Sequence, residues 1–115
     1  MGRQGIVMTP PAKDAAAILG QQVRLLRQER RWTAAELATR AGVSLETLAS
    51  IESGKASVAI GNVLNVATMV GVPLFGADDA AELARVRRAG DERLALLPTR
   101  VRSTPPAVSD ADLDF

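Results

Sequence analysis

The stretch Thr33 to Gly54, TAAELATRAGVSLETLASIESG, constrains the fold more than any other part of this chain. Thr33 is a good N-cap, and Glu36 three residues on completes a capping box. Leu37, Ala38 and Ala41 continue one apolar face at helical spacing. Gly42 then stops the helix, because glycine enters the left-handed region without a steric penalty. Val43 fills the inside of the corner and Ser44 caps a second helix at once. On that helix Leu48 and Ile51 share one face, while Glu46, Ala49, Ser50 and Ser53 fall on the other, at about 100° per residue. Gly54 ends it.

Two short capped helices around a glycine-bearing corner define the helix-turn-helix geometry. At residue level the stretch resembles the Xre/Cro-repressor type of helix-turn-helix regulator. The matching positions are Thr33, Glu36-Leu37-Ala38, Ala41-Gly42-Val43-Ser44, Leu48, Ile51-Glu52 and Gly54. With its flanking helices the resemblance runs from about Leu19 to Leu74. It implies an all-α fold, a four- to five-helix bundle of the lambda-repressor-like DNA-binding type; the C-terminal tail is expected to be disordered on its own composition. It also implies an ion pair between Arg27 and Glu52, whose alternative is two solvated charges without contact.

Composition narrows the function. With no cysteine and no histidine among 115 residues, thiolate metal sites, disulfides, cysteine nucleophiles and histidine bases are excluded. No pair of acids sits in a cleft-forming context, so no enzyme, metal or cofactor is expected. No apolar run approaches the roughly 18 residues of a membrane span. No charged-then-apolar leader opens the chain, so a cytoplasmic location is expected. The formal net charge of +1 hides an asymmetry. Lys and Arg minus Asp and Glu give 8 − 5 = +3 over residues 1–74, 6 − 5 = +1 over 75–102, and 0 − 3 = −3 over 103–115. A mildly basic body with an acidic end suits nucleic-acid binding plus a separate interaction segment, although a plain solvated surface has the same balance.

In chain order, residues 1–12 are expected to be a flexible leader, because Gly, Pro and no periodicity mark them. Residues 13–75 are expected to form the helix-turn-helix domain. A helix over about Lys13 to Arg31 would place Leu19, Val23 and Leu26 inward. A later one over about Val58 to Val70 would bury Ile60, Val63, Leu64, Ala67 and Val70, with Gly71 as its stop. An additional helix is expected within residues 76–98, opened by Asp78 and Asp79 and ended by Pro98. Its stripe of Leu83, Val86, Leu94 and Leu97 is too thin to fold alone, and Gly90 weakens it. Residues 99–115 form a polar, proline-bearing tail without a core-forming pattern.

For a domain of this kind the second helix enters the major groove, N-terminal residues nearest the bases. Those are Ser44, Leu45, Glu46, Thr47 and Ser50. Leu45 can touch a thymine methyl or flank the core; Glu46 can accept from a cytosine amino group or balance the helix end. Thr33, the N–H groups beginning at Ala34, and Lys55 are candidate phosphate contacts. Relatives often carry Gln where this chain has Ala34. The recognition helix also lacks Arg, Lys, Asn and Gln, so it offers no bidentate reader of guanine or adenine.

These features lead to the expectation of a sequence-specific transcriptional regulator, a repressor acting as a homodimer on a palindromic double-stranded DNA operator, with no membrane partner. Residues 82–102 and the acid-rich end resemble, more loosely, small antitoxins of the HipB type, which pair with HipA-like kinase toxins. On that resemblance Asp112, Leu113, Asp114 and Phe115 would dock the toxin, since acids and apolar groups alternate there as on the two sides of an extended chain. A solvated tail and an autoinhibitory one are the alternatives. A free-standing Xre-family repressor and a protein-interaction adaptor are the competing functions.

Overall fold

The computed structural model describes residues 5–99, which hold five α-helices and, among the described residues, no β-strand. They are α1 (Pro10–Glu29), α2 (Ala34–Ala41), α3 (Leu45–Glu52), α4 (Ile60–Val70) and α5 (Ala80–Ala95). The fold is all-α. The residues after Thr99, among them Asp112–Phe115, which were expected to dock a partner, lie outside the described residues.

α1 begins earlier than the apolar periodicity indicated. The Thr9 hydroxyl accepts from the Ala12 N–H at 3.3 Å, and Pro10 and Pro11 occupy the first helical positions. Proline is suited there, because its φ is already helical and its missing N–H would have no partner. The pair opens a helix instead of belonging to a leader. α1 also stops before Arg31, which takes a left-handed φ of 60°. The Arg31 and Trp32 N–H groups return to the carbonyls of Gln28 and Arg27, so a Schellman turn closes the helix without glycine.

The chain divides into two units, Met1–Leu83 and Ala84–Phe115. In the first, α1 to α4 enclose a core in which Val23, Leu37, Leu48, Val66 and Val70 are fully buried. Ala38, Ala41, Ile51, Ala67 and Val72 complete it, with Leu19, Leu26, Trp32 and Val43 packed at its margin. α4 corrects the expected register. It starts at Ile60, so that residue is the first of the helix and is 75% exposed; Leu64 is also exposed. Val63, Val66, Ala67 and Val70, at spacings of three and four, make the inward face instead. In α5 the Asp79 side chain accepts from the Glu82 N–H at 2.8 Å, and no residue of the helix is buried.

α1 and α3 approach unusually closely. A Cβ built on Gly20 would stand 2.5 Å from the Glu52 carbonyl oxygen and 2.6 Å from that of Ile51. From the other side, one built on Gly54 would meet the Ala17 backbone at 3.2 Å. Glycine and alanine on α1 thus let the end of α3 lie against its backbone.

Candidate nucleic-acid interface

The α2–corner–α3 unit is set by its caps. Thr33 donates its N–H to Glu36 Oε1 at 2.9 Å and accepts the Glu36 N–H on Oγ1 at 3.1 Å. The Thr33 N–H donated to the carboxylate, and after it the Thr33 side chain beside it, lower the Glu36 pKa from its ordinary value. The first N–H groups of α2, at Ala34 and Ala35, are of the kind that a helix leaves without internal partners. The Ala34 side chain rests against the core, so that position can offer a ligand its backbone and nothing longer.

Gly42, at φ 71°, makes the corner, and the Val43 N–H returns to the Ala38 carbonyl at 3.0 Å. Ser44 then caps α3, accepting the Thr47 N–H at 3.0 Å while its hydroxyl donates to Thr47 Oγ1 at 2.9 Å. The Ser44 hydroxyl is thereby committed to the helix, whereas that of Thr47 keeps its own proton to donate. The α3 end closes through Gly54 at φ 75°, with the Lys55 N–H on the Ser50 carbonyl.

Leu48 and Ile51 lock the inner side of α3 into the core. Outward, Leu45 is 53% exposed, Glu46 and Ser44 are exposed, and Thr47 and Ser50 are half-buried. Lys55 is exposed in the following loop. Glu46, Thr47 and Ser50 line a shallow polar depression together with Ser57, Val58, Ala59 and Asn62. Sequence reasoning missed Asn62. It belongs to α4, where helical periodicity marks it only as non-core, yet it brings a side-chain amide beside a recognition helix that has none.

The position of α3 is fixed from behind by Arg27 and Glu52. Arg27 Nε donates to Glu52 Oε2 at 2.8 Å and Nη2 to Oε1 at 3.1 Å, a bidentate fork. Nη1 donates to the Trp32 carbonyl at 3.1 Å, so one guanidinium ties α1, the α1–α2 turn and the end of α3. Each side chain is 13% exposed. The Glu52 hydrogen bond outweighs burial and raises the Arg27 pKa. Trp32 is held from outside by two cations: the Arg40 guanidinium carbon lies 4.3 Å from its ring centroid and that of Arg30 5.1 Å. Arg30 Nε also donates to the Val70 carbonyl at 2.9 Å, closing the α4 end. Among the described residues no cluster of His, Cys, Asp or Glu could hold a metal ion, and no helix is long and apolar enough to cross a membrane.

A capped pair of short helices, one face locked in a bundle and the other polar and open, defines the class of DNA-binding helix-turn-helix domains. Residues 23–76 match the helix-turn-helix family HTH_3, and this part of the chain is a helix-turn-helix domain of that Xre, lambda-repressor-like family. The chain is also similar to proteins described as uncharacterized HTH-type transcriptional regulators, from Mycobacterium bovis and two strains of Mycobacterium tuberculosis. Each is 34% identical over 102 residues, covering 83% of this chain. The chain spans 38% of the length of those relatives. No solved structure matches it.

Proposed function

We propose that this chain is a sequence-specific, double-stranded-DNA-binding transcriptional regulator that acts as a homodimeric repressor on a palindromic operator in the cytoplasm. The observation that carries the reading is the outward face of α3: Leu45 and Glu46 are exposed and Thr47 and Ser50 half-buried on a helix whose other face is locked into the core. Glu46, Thr47, Ser50 and Asn62 are the candidate base readers, and the Ala34 backbone and Lys55 the candidate phosphate contacts. The names of the similar mycobacterial proteins support the same role.

Footprinting on the chain's own upstream region, followed by binding at several salt concentrations, tests this. Affinity should fall linearly with salt on a logarithmic plot, and Lys55→Ala should reduce that slope by about one on every sequence. Glu46→Gln should instead change the preferred base at one position of each half-site. Salt-independent binding to duplex DNA would overturn the reading in favour of an adaptor.

Within this function we place the finer role of antitoxin to a HipA-like kinase toxin. Its support is the alternation of Asp110, Asp112 and Asp114 with Ala111, Leu113 and Phe115, which suits a basic groove beside an apolar pocket. Deleting residues 109–115 should leave operator binding unchanged and abolish co-purification of such a kinase. Undiminished co-purification would leave a free-standing repressor.

A further inference from the structure

Arg31, at φ 60°, is one of two non-glycine residues with a left-handed backbone among the described residues. It lies in the α1–α2 turn, which is closed by the Arg31 and Trp32 N–H groups on the carbonyls of Gln28 and Arg27. Those bonds need only the backbone. Glycine makes the same turn without a steric penalty, so the turn itself gains nothing from a side chain there. A strained residue that its turn does not require points to a function for the side chain.

The neighbouring arginines are already engaged. Arg27 is held by Glu52 and the Trp32 carbonyl, Arg30 by the Val70 carbonyl and the Trp32 ring, and Arg40 by the same ring. The exposed Arg31 guanidinium has neither a hydrogen bond nor an ion pair with any described residue. Two residues on, Thr33 caps α2, and there Ala34 has no side chain to offer, because it rests against the core.

We infer that Arg31 is a DNA-backbone contact, its guanidinium taking one phosphate of the operator as a two-bonded fork. This rests on the DNA-binding reading above and adds to it a residue that sets the register of α3. The turn carrying Arg31 is tied through the Trp32 carbonyl to Arg27 Nη1 at 3.1 Å, and Nε of the same guanidinium holds Glu52, the last residue of α3, at 2.8 Å. A phosphate seated on Arg31 is thereby linked to the recognition helix through a single side chain. Contacts of this kind fix a protein on the duplex without reading its sequence.

The full-length Arg31→Gly protein separates a contact from a structural role, because stability and affinity should move in opposite directions. It should melt no lower than the wild type, since the turn is relieved. It should nonetheless bind both the footprinted operator and an unrelated duplex about tenfold more weakly at low salt. The slope of log affinity against log salt should fall by about one, and by about two when Lys55→Ala is added. Arg31→Lys, which keeps the charge without the fork, should restore the slope. An unchanged slope in Arg31→Gly, while Lys55→Ala still lowers it, would refute the contact and leave the DNA-binding reading standing. A loss confined to one base position would make Arg31 a base reader, and a melting temperature that falls with the affinity would make it structural; either overturns the assignment. Salt-independent binding by the wild-type chain would refute the DNA-binding reading itself.

Discussion

Replacing Gly20 by alanine adds one methyl group at the point where α1 and α3 come closest. That methyl would lie 2.5 Å and 2.6 Å from two carbonyl oxygens and 2.8 Å from the Glu52 carbonyl carbon, where 3.0 Å is about the nearest a real Cβ comes. All three neighbours are backbone, so no side chain can swing away. α1 must instead retreat by at least 3.0 − 2.5 = 0.5 Å. The retreat also stretches the Arg27–Glu52 fork and loosens Val23 against Leu48. Overpacking of this kind costs about 1–3 kcal/mol, and backbone on every side puts this case at the upper end. Alanine returns about 1 kcal/mol through its better helix propensity. The net loss is about 2 kcal/mol, which for a domain of this size lowers the melting temperature by about 8–16 °C. The assay is thermal unfolding followed by circular dichroism, beside Gly61→Ala, whose new Cβ meets nothing within 4 Å. Gly61→Ala should melt no lower than the wild type. A Gly20→Ala protein that also melts at or above the wild-type temperature would refute the close-approach argument.

Arg27→Ala and Glu52→Ala should each cost about 3 kcal/mol, because each strands a largely buried charge. Their double-mutant cycle should show a coupling above about 1 kcal/mol, and simple additivity would mean that the fork contributes nothing. Arg31→Gly should stabilise by about 0.5–1 kcal/mol in denaturant melts. It relieves a left-handed strain of roughly 1–2 kcal/mol at a smaller cost in unfolded-chain entropy. The depressed Glu36 pKa adds stability that is complete above the unfolded value of about 4.3 and is lost as pH falls through the folded one. An acid titration of stability should therefore be flatter in Glu36→Gln, and an unchanged profile would remove the capping box from the account. Thr33→Ala, which deletes the same cap from its other end, should cost about 1 kcal/mol at neutral pH.

The helical hairpin at the centre of the fold is legible because its determinants are local. A capping Thr or Ser three residues before its N–H partner, and a glycine at a left-handed corner, act within one turn of helix. They can therefore be found in a one-dimensional string. The α1 start is less legible for a related reason: Pro10-Pro11 carries the same composition in a flexible leader as at the first turn of a helix, and Thr9 alone distinguishes them. The α1 stop gave no signal, since its left-handed residue is Arg31 and the Schellman turn there accepts the strain. In α4 the apolar residues cover a wider arc than the face that is buried: Ile60 and Leu64 lie at one edge of it and Val66 at the other, and the period alone does not say which edge turns inward.

What the string cannot carry is distance between helices, and the candidate interface depends on such distances. Ser44, Leu45, Glu46, Thr47 and Ser50 could be assigned to the outward part of α3 from spacing alone, and their exposure follows from the burial of Leu48 and Ile51. Asn62 could not be, because its place beside Glu46 and Ser50 is set by how α4 packs and by no period within α4. The same holds for Gly20. In isolation it reads as a weak point in α1, costing about 1 kcal/mol of helix propensity. In the fold it is where α3 rests, and that helix offers the candidate recognition residues to solvent. A residue that is unfavourable locally and required globally shows that packing overrode propensity, and here the packing it permits also sets the position of the recognition helix. The fork from Arg27 to Glu52 and the contact at Gly20 meet the same last turn of α3. The face open to DNA is therefore positioned from behind, by residues that never reach it.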